Sequence, residues 1–142
     1  MNNIERRIAH EFKKKKYDLK YENSYCIVNL YENGNIYTFK LLMNYPFQPP
    51  FLFYKNNRQI NYTSRNIPNK LLNNYIQQYN KCPCCTSLLC PVNWSPGYKL
   101  QHIIDEYYLI RENIIMCEKK RIFKKVQTIP NEIVDHILSF CA

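Results

Sequence analysis

Apolar side chains first recur every fourth residue, at Ile4, Ile8 and Phe12, which predicts a helix over Ile4 to Lys16 with one face turned to a core. Arg6, Arg7, Lys13 and Lys14 fall on its more polar sides. From Tyr17 to Tyr54 the period shortens to two, the repeat of strands. Tyr25, Ile27 and Asn29 alternate with Cys26, Val28 and Leu30. Glu32-Asn33-Gly34-Asn35 then supplies a hairpin turn, and Tyr37 to Met43 returns as the partner strand. The segment from Asn44 to Pro50 holds three prolines, which remove backbone donors and exclude it from a central strand. Phe51 to Tyr54 makes one more short strand, and residues 55–66 read as a polar loop.

The second half returns to helical spacing. Leu71, Leu72, Tyr75, Ile76 and Tyr79 share one face of a helix predicted over Pro68 to Tyr79. A cysteine-rich stretch follows, Cys82-Pro83-Cys84-Cys85-Thr86-Ser87-Leu88-Leu89-Cys90. After Asn93-Trp94-Ser95-Pro96 comes the longest helical signal, with Leu100, Ile103, Ile104, Tyr107, Ile110, Ile114 and Cys117 repeating at three and four. Pro130 breaks it, and Ile133, Ile137 and Leu138 outline a last short helix. A helix, antiparallel strands and then helices imply an α+β domain.

Composition narrows the chemistry. The chain has 142 residues, room for one core and a short appendage, with 46% hydrophobic and 15% aromatic content that suits a folded protein. Gly34 and Gly97 are its two glycines, which rules out the glycine-rich patterns that cradle nucleotide phosphates. The net charge of +9, concentrated at Lys13 to Lys16 and Lys119 to Lys125, favours acidic partners; nucleic acid qualifies on charge but no recognised module supports it. Neither a membrane span nor a signal peptide is expected. Seven cysteines in a reducing compartment, cytoplasm or nucleus, are reduced thiols, metal ligands or a nucleophile rather than disulfides.

Three segments in order resemble the ubiquitin-conjugating enzymes. Tyr37-Thr38-Phe39-Lys40-Leu41-Leu42 with Tyr45-Pro46-Phe47-Gln48-Pro49-Pro50 is similar to the family's F-K-L-x-I strand and Y-P-F-x-P-P turn. Trp94-Ser95-Pro96, with Leu100, Ile103, Ile104 and Tyr107 behind it, matches the family's helix entry. An amphipathic helix precedes the sheet, as in the family. RWD domains share the tyrosine-proline turn but lack Trp-Ser-Pro and a catalytic cysteine. The resemblance implies a UBC-like fold over residues 1–118, with 60–93 as a divergent cysteine-rich active-site region, and 119–142 as a basic linker and terminal helix.

It also implies thioester carriage of ubiquitin or a ubiquitin-like modifier. Cys85-Thr86-Ser87-Leu88-Leu89 is similar to the family's nucleophile stretch, although Cys85 stands nine residues before Trp94 where the family has eight. Cys90 is the runner-up nucleophile. The family's His-Pro-Asn, whose asparagine is the oxyanion partner, is absent; Ile67-Pro68-Asn69 lies sixteen residues before Cys85, and Asn80, five residues before it, is the candidate substitute. On the same resemblance, Arg6, Arg7, Lys13 and Lys14 would meet an acidic domain of the activating enzyme, and Phe51, Ser95 and Pro96 would lie near the ubiquitin-ligase contact surface.

The rival hypothesis is a non-catalytic interaction module whose cysteines bind zinc or pack. Cys82 and Cys85 form one C-x-x-C pair and Cys90 follows, but zinc prefers four ligands, so His102 or Cys117 would have to complete the site. Cys26 and Cys117 are expected to be small buried hydrophobes. Ile129 to Phe140 resembles the opening of an F-box, against the simpler expectation of an amphipathic helix docked on the domain.

Overall fold

The computed structural model describes residues 2–125, so the F-box-like segment from Ile129 lies outside the described residues. The fold is α+β: an N-terminal helix, a five-stranded antiparallel sheet and C-terminal helices. The described chain divides into two compact units, one holding residues 2–61 with Thr86–Glu106, the other Tyr62–Cys85 and residues 107–125.

The first unit opens with α1, Asn3–Glu11. Asn2 caps it by accepting the Glu5 N–H at 2.9 Å, which satisfies one of the donors a helix start leaves open. The helix is shorter than its spacing predicts. The apolar stripe ends at Phe12, Lys14 takes a left-handed φ of 62°, and the chain is already strand at Lys16. Lys13 to Lys16 carry no apolar side chain that would hold another turn against the core.

Strands β1 (Lys16–Tyr21), β2 (Tyr25–Glu32), β3 (Asn35–Leu42), β4 (Leu52–Lys55) and β5 (Arg58–Gln59) pair strictly in sequence order. Asn33 and Gly34 turn the β2–β3 hairpin with φ of 53° and 78°, the paired left-handed residues of a turn whose twist suits a hairpin. Asn56 and Asn57 do the same between β4 and β5 at φ 51° and 65°. That last hairpin was expected as loop, because β5 is two exposed residues with no alternating pattern to announce it. In register, Val28 faces Phe39 and Phe39 faces Phe53; the two phenylalanine rings stack at 5.0 Å. With Ile4, Ile8 and Phe12 of α1, and Leu100, Ile103 and Ile104 of the last helix, these residues lie in the buried core of this unit.

The second unit contributes α2 (Asn69–Tyr79) and α3 (Pro83–Thr86, running one residue past the unit's edge). The last helix, α4 (Leu100–Lys125), belongs to the first unit as far as Glu106 and to the second beyond it. Leu72 and Tyr75 of α2 and Ile110 and Cys117 of α4 are buried. The side chain of Asn74 donates to Glu118 at 2.8 Å, and Arg121 pairs with the same carboxylate. Among the described residues no helix is long and apolar enough to cross a membrane.

Candidate functional site

The cysteine-rich segment begins where α2 stops. Asn80 ends that helix in the left-handed conformation, φ 58°, and its N–H donates to the Ile76 carbonyl at 2.7 Å. Asparagine tolerates this geometry better than any residue but glycine. The reversal delivers Cys82 to the start of α3, where the Cys85 N–H donates to the Cys82 carbonyl at 3.2 Å. One short turn thereby gathers three thiols. The sulfurs of Cys82 and Cys84 stand 2.7 Å apart, those of Cys84 and Cys85 3.9 Å, and all three lie within 4.8 Å of one another. No disulfide links the described cysteines.

The three thiols are not equivalent. Cys85 is exposed, whereas Cys82 and Cys84 are half-buried. Burial works to raise the Cys82 thiol, but hydrogen bonds from the Cys84 thiol and from the backbone N–H groups of Cys84 and Cys85 outweigh it and lower its pKa. The same contact with Cys82, followed by burial, pushes Cys84 up to about 12. Cys82 is therefore the sulfur of this pair that gives up its proton more readily, and Cys84 the one that holds its proton more tightly.

Cys84 is the member that sequence spacing missed. The C-x-x-C pattern singles out Cys82 and Cys85, and Cys90 is the next cysteine along. Cys90 does not belong to the cluster; it lies in the first unit, where its N–H donates to the Ser87 carbonyl at 3.1 Å. The signal that could have found Cys84 is Pro83 itself, which suits a first helical position and so compresses the cysteines around it into one turn. Neither His102 nor Cys117 completes the group. The Nδ1 of His102 accepts the Lys99 N–H at 2.9 Å at the start of α4, and Cys117 is buried. Cys26, as expected, is a buried small side chain, its thiol raised to about 11 by desolvation and then by Glu5.

In the first unit, the second half of the cysteine-rich stretch is held firmly. Ser87 is buried and donates to Glu106 at 2.8 Å, while the Leu88 N–H donates to the other oxygen of that carboxylate at 2.9 Å. Burial raises the pKa of Glu106, and these two donors act against it. The Trp94 indole N–H donates to the Pro46 carbonyl at 2.7 Å, and its ring lies 6.2 Å from that of Tyr45. The proline turn and the Trp-Ser-Pro element, 48 residues apart between Pro46 and Trp94, thus touch directly.

Of the basic residues expected to meet a partner, Arg6, Lys13 and Lys14 are exposed. Arg7 is tied inward: its guanidinium donates to Glu11 at 2.8 Å and to the carbonyls of Pro96 and Tyr98 at 2.9 and 2.8 Å. Phe51, Ser95 and Pro96 are exposed. Sequence reasoning passed over two neighbours of these loops, Phe47 at 72% exposure and Val92 at 90%, which are large apolar side chains facing water. Asn80 is exposed too, and its backbone serves as the cap of α2. Comparison with protein families, with curated proteins and with solved structures finds no match to this chain.

Proposed function

We propose that this chain is a divergent UBC-like domain that carries ubiquitin or a ubiquitin-like modifier as a thioester on Cys85. The observation that carries the reading is the contact of Trp94 with Pro46 and Tyr45. The two motifs behind the resemblance are distant in sequence, and their meeting is what one shared scaffold would require. An N-terminal helix ahead of an antiparallel meander agrees with this, and so does an exposed Cys85.

The chemistry is acyl transfer between sulfurs. The Cys85 thiolate attacks the thioester carbonyl on the activating enzyme; a new sulfur–carbon bond forms, the old one breaks, and the activating enzyme's cysteine leaves as thiolate. The carbonyl oxygen gains charge during attack and needs a donor. Asn80 is the candidate in this chain. Arg6, Lys13 and Lys14 would steer the acidic face of the activating enzyme, and a ubiquitin ligase would meet Phe51, Ser95 and Pro96.

A charging assay with activating enzyme, ATP and modifier tests this. A thiol-sensitive adduct is expected, abolished by Cys85→Ala and retained in Cys90→Ala. The opposite pattern moves the nucleophile to Cys90, and no adduct with any modifier sinks the carrier reading. A second reading, a non-catalytic interaction module, draws on the exposure of Phe47 and Val92, side chains suited to covering by a partner whether or not the domain is charged.

A further inference from the structure

We propose that Cys82, Cys84 and Cys85 form a three-thiolate site for a soft d10 cation, zinc(II) or copper(I), with one position left open on a tetrahedral ion. Three sulfurs within 4.8 Å of one another are already close to what a single ion spans. Around zinc, sulfurs at about 2.3 Å from the metal sit roughly 3.8 Å apart. The Cys84–Cys85 separation of 3.9 Å meets that spacing as it stands. Cys82 and Cys84, at 2.7 Å, must part by about 1 Å on loading, which rotation of two half-buried side chains supplies.

The donor set selects the metal class. Thiolates alone, with no carboxylate or imidazole in the group, favour soft ions over calcium, magnesium or manganese. Three ligands complete a trigonal copper(I) site, and they leave zinc one vacancy, the arrangement of zinc sites that exchange a ligand. The exposure of Cys85 places that side of the cluster toward solvent. Occupation would withdraw Cys85 from acyl transfer, so the metal would act as an off-state of the carrier, a role that rests on the function proposed above.

Cobalt(II) titration of the reduced full chain is the test, because thiolate-to-cobalt charge transfer and visible ligand-field bands report ligand type and geometry directly. One equivalent should bind with the spectrum of a tetrahedral thiolate site. Zinc should displace it, and a separate copper(I) competition with a chromophoric chelator decides which ion binds more tightly. Cys84→Ser should lower cobalt affinity at least about tenfold, since even a residue supporting a ligand from behind is worth 10- to 100-fold. Cys90→Ser should leave it unchanged. As a check independent of variant folding, zinc should protect Cys82, Cys84 and Cys85 of the wild-type chain from alkylation, and not Cys90. No cobalt spectrum, or a spectrum lost in Cys90→Ser and kept in Cys84→Ser, overturns the site. Charging assays with zinc or with chelator separate the two readings: equal charging in both overturns the off-state, whereas no charging in either sinks the carrier and leaves the cobalt result standing.

Discussion

A carboxylate with no solvent exposure, such as the side chain of Glu11, has to find its hydrogen-bond donors inside the protein. Glu11 finds them on three segments. Arg7 approaches at 2.8 Å within α1, the Tyr45 hydroxyl donates at 2.6 Å from the proline turn, and the Leu100 N–H donates at 2.7 Å from the first turn of α4. Burial, and then the Glu11 charge, drive the Tyr45 hydroxyl far above the ordinary tyrosine value, so it remains a donor. Removing one member of a buried pair strands the other. Glu11→Ala is therefore expected to cost about 3–5 kcal/mol, while Glu11→Gln, which keeps an acceptor, costs about 1–3 kcal/mol. Urea unfolding of both variants checks the order, and equal losses would show that the neutral acceptor kept by Gln contributes nothing and that the charge carries the whole effect. None of this could be read from the sequence, where Glu11 is one acid in a basic helix and its partners lie up to 89 residues away.

Elements announce themselves unevenly. The i, i+4 stripe of α1, the alternation of β2 and β3, and the long repeat in α4 were legible because one face of each is buried. The end of α1 and the whole of β5 were not, since backbone conformation at Lys14, Asn56 and Asn57 decides them and side-chain pattern does not. The Asn33-Gly34 turn was legible for the converse reason: its chemistry fits one turn type. Gly34 sits at φ +78° with nothing within 4 Å of where a Cβ would go. Gly34→Ala should thus cost about 1–2 kcal/mol of backbone strain alone, and Gly34→Asn clearly less, by thermal unfolding.

Two carboxylates on α4 give pH dependence of opposite sign. Glu118 is held below the usual range, first by its hydrogen bond with Arg121, against burial, and with help from the Arg121 and Lys70 charges and from Asn74. A depressed folded pKa contributes stability above the ordinary value of 4.5 that is lost as pH falls through the folded value. Glu106 is raised by burial, so its ionisation opposes folding, and that opposition is relieved as pH falls from the raised value toward 4.5. Hydrogen exchange of α2 amides between pH 6 and pH 3 should accordingly show protection falling at the acid end in wild type, and flattening in Glu118→Gln. An unchanged acid profile in that variant would remove Glu118 as the cause.

For the whole molecule, the α+β class was readable from the order of periodicities, and the cysteine stretch marked where chemistry would be sought. The membership of the thiol cluster was not readable, because adjacent cysteines in a turn converge by geometry that spacing rules do not encode. The +9 charge gave the sign of the surface and hid the exception: Arg7 looks like its basic neighbours in sequence and is bound internally. The first unit also has a history in time. Its strands pair with their immediate successors, so each hairpin closes a short loop and can form early as the chain emerges from the ribosome. The core of that unit is completed only by Leu100, Ile103 and Ile104. Until those residues are synthesised the sheet exists without its last covering, and the apolar positions that later stabilise the protein are, for that interval, the ones that expose it to aggregation.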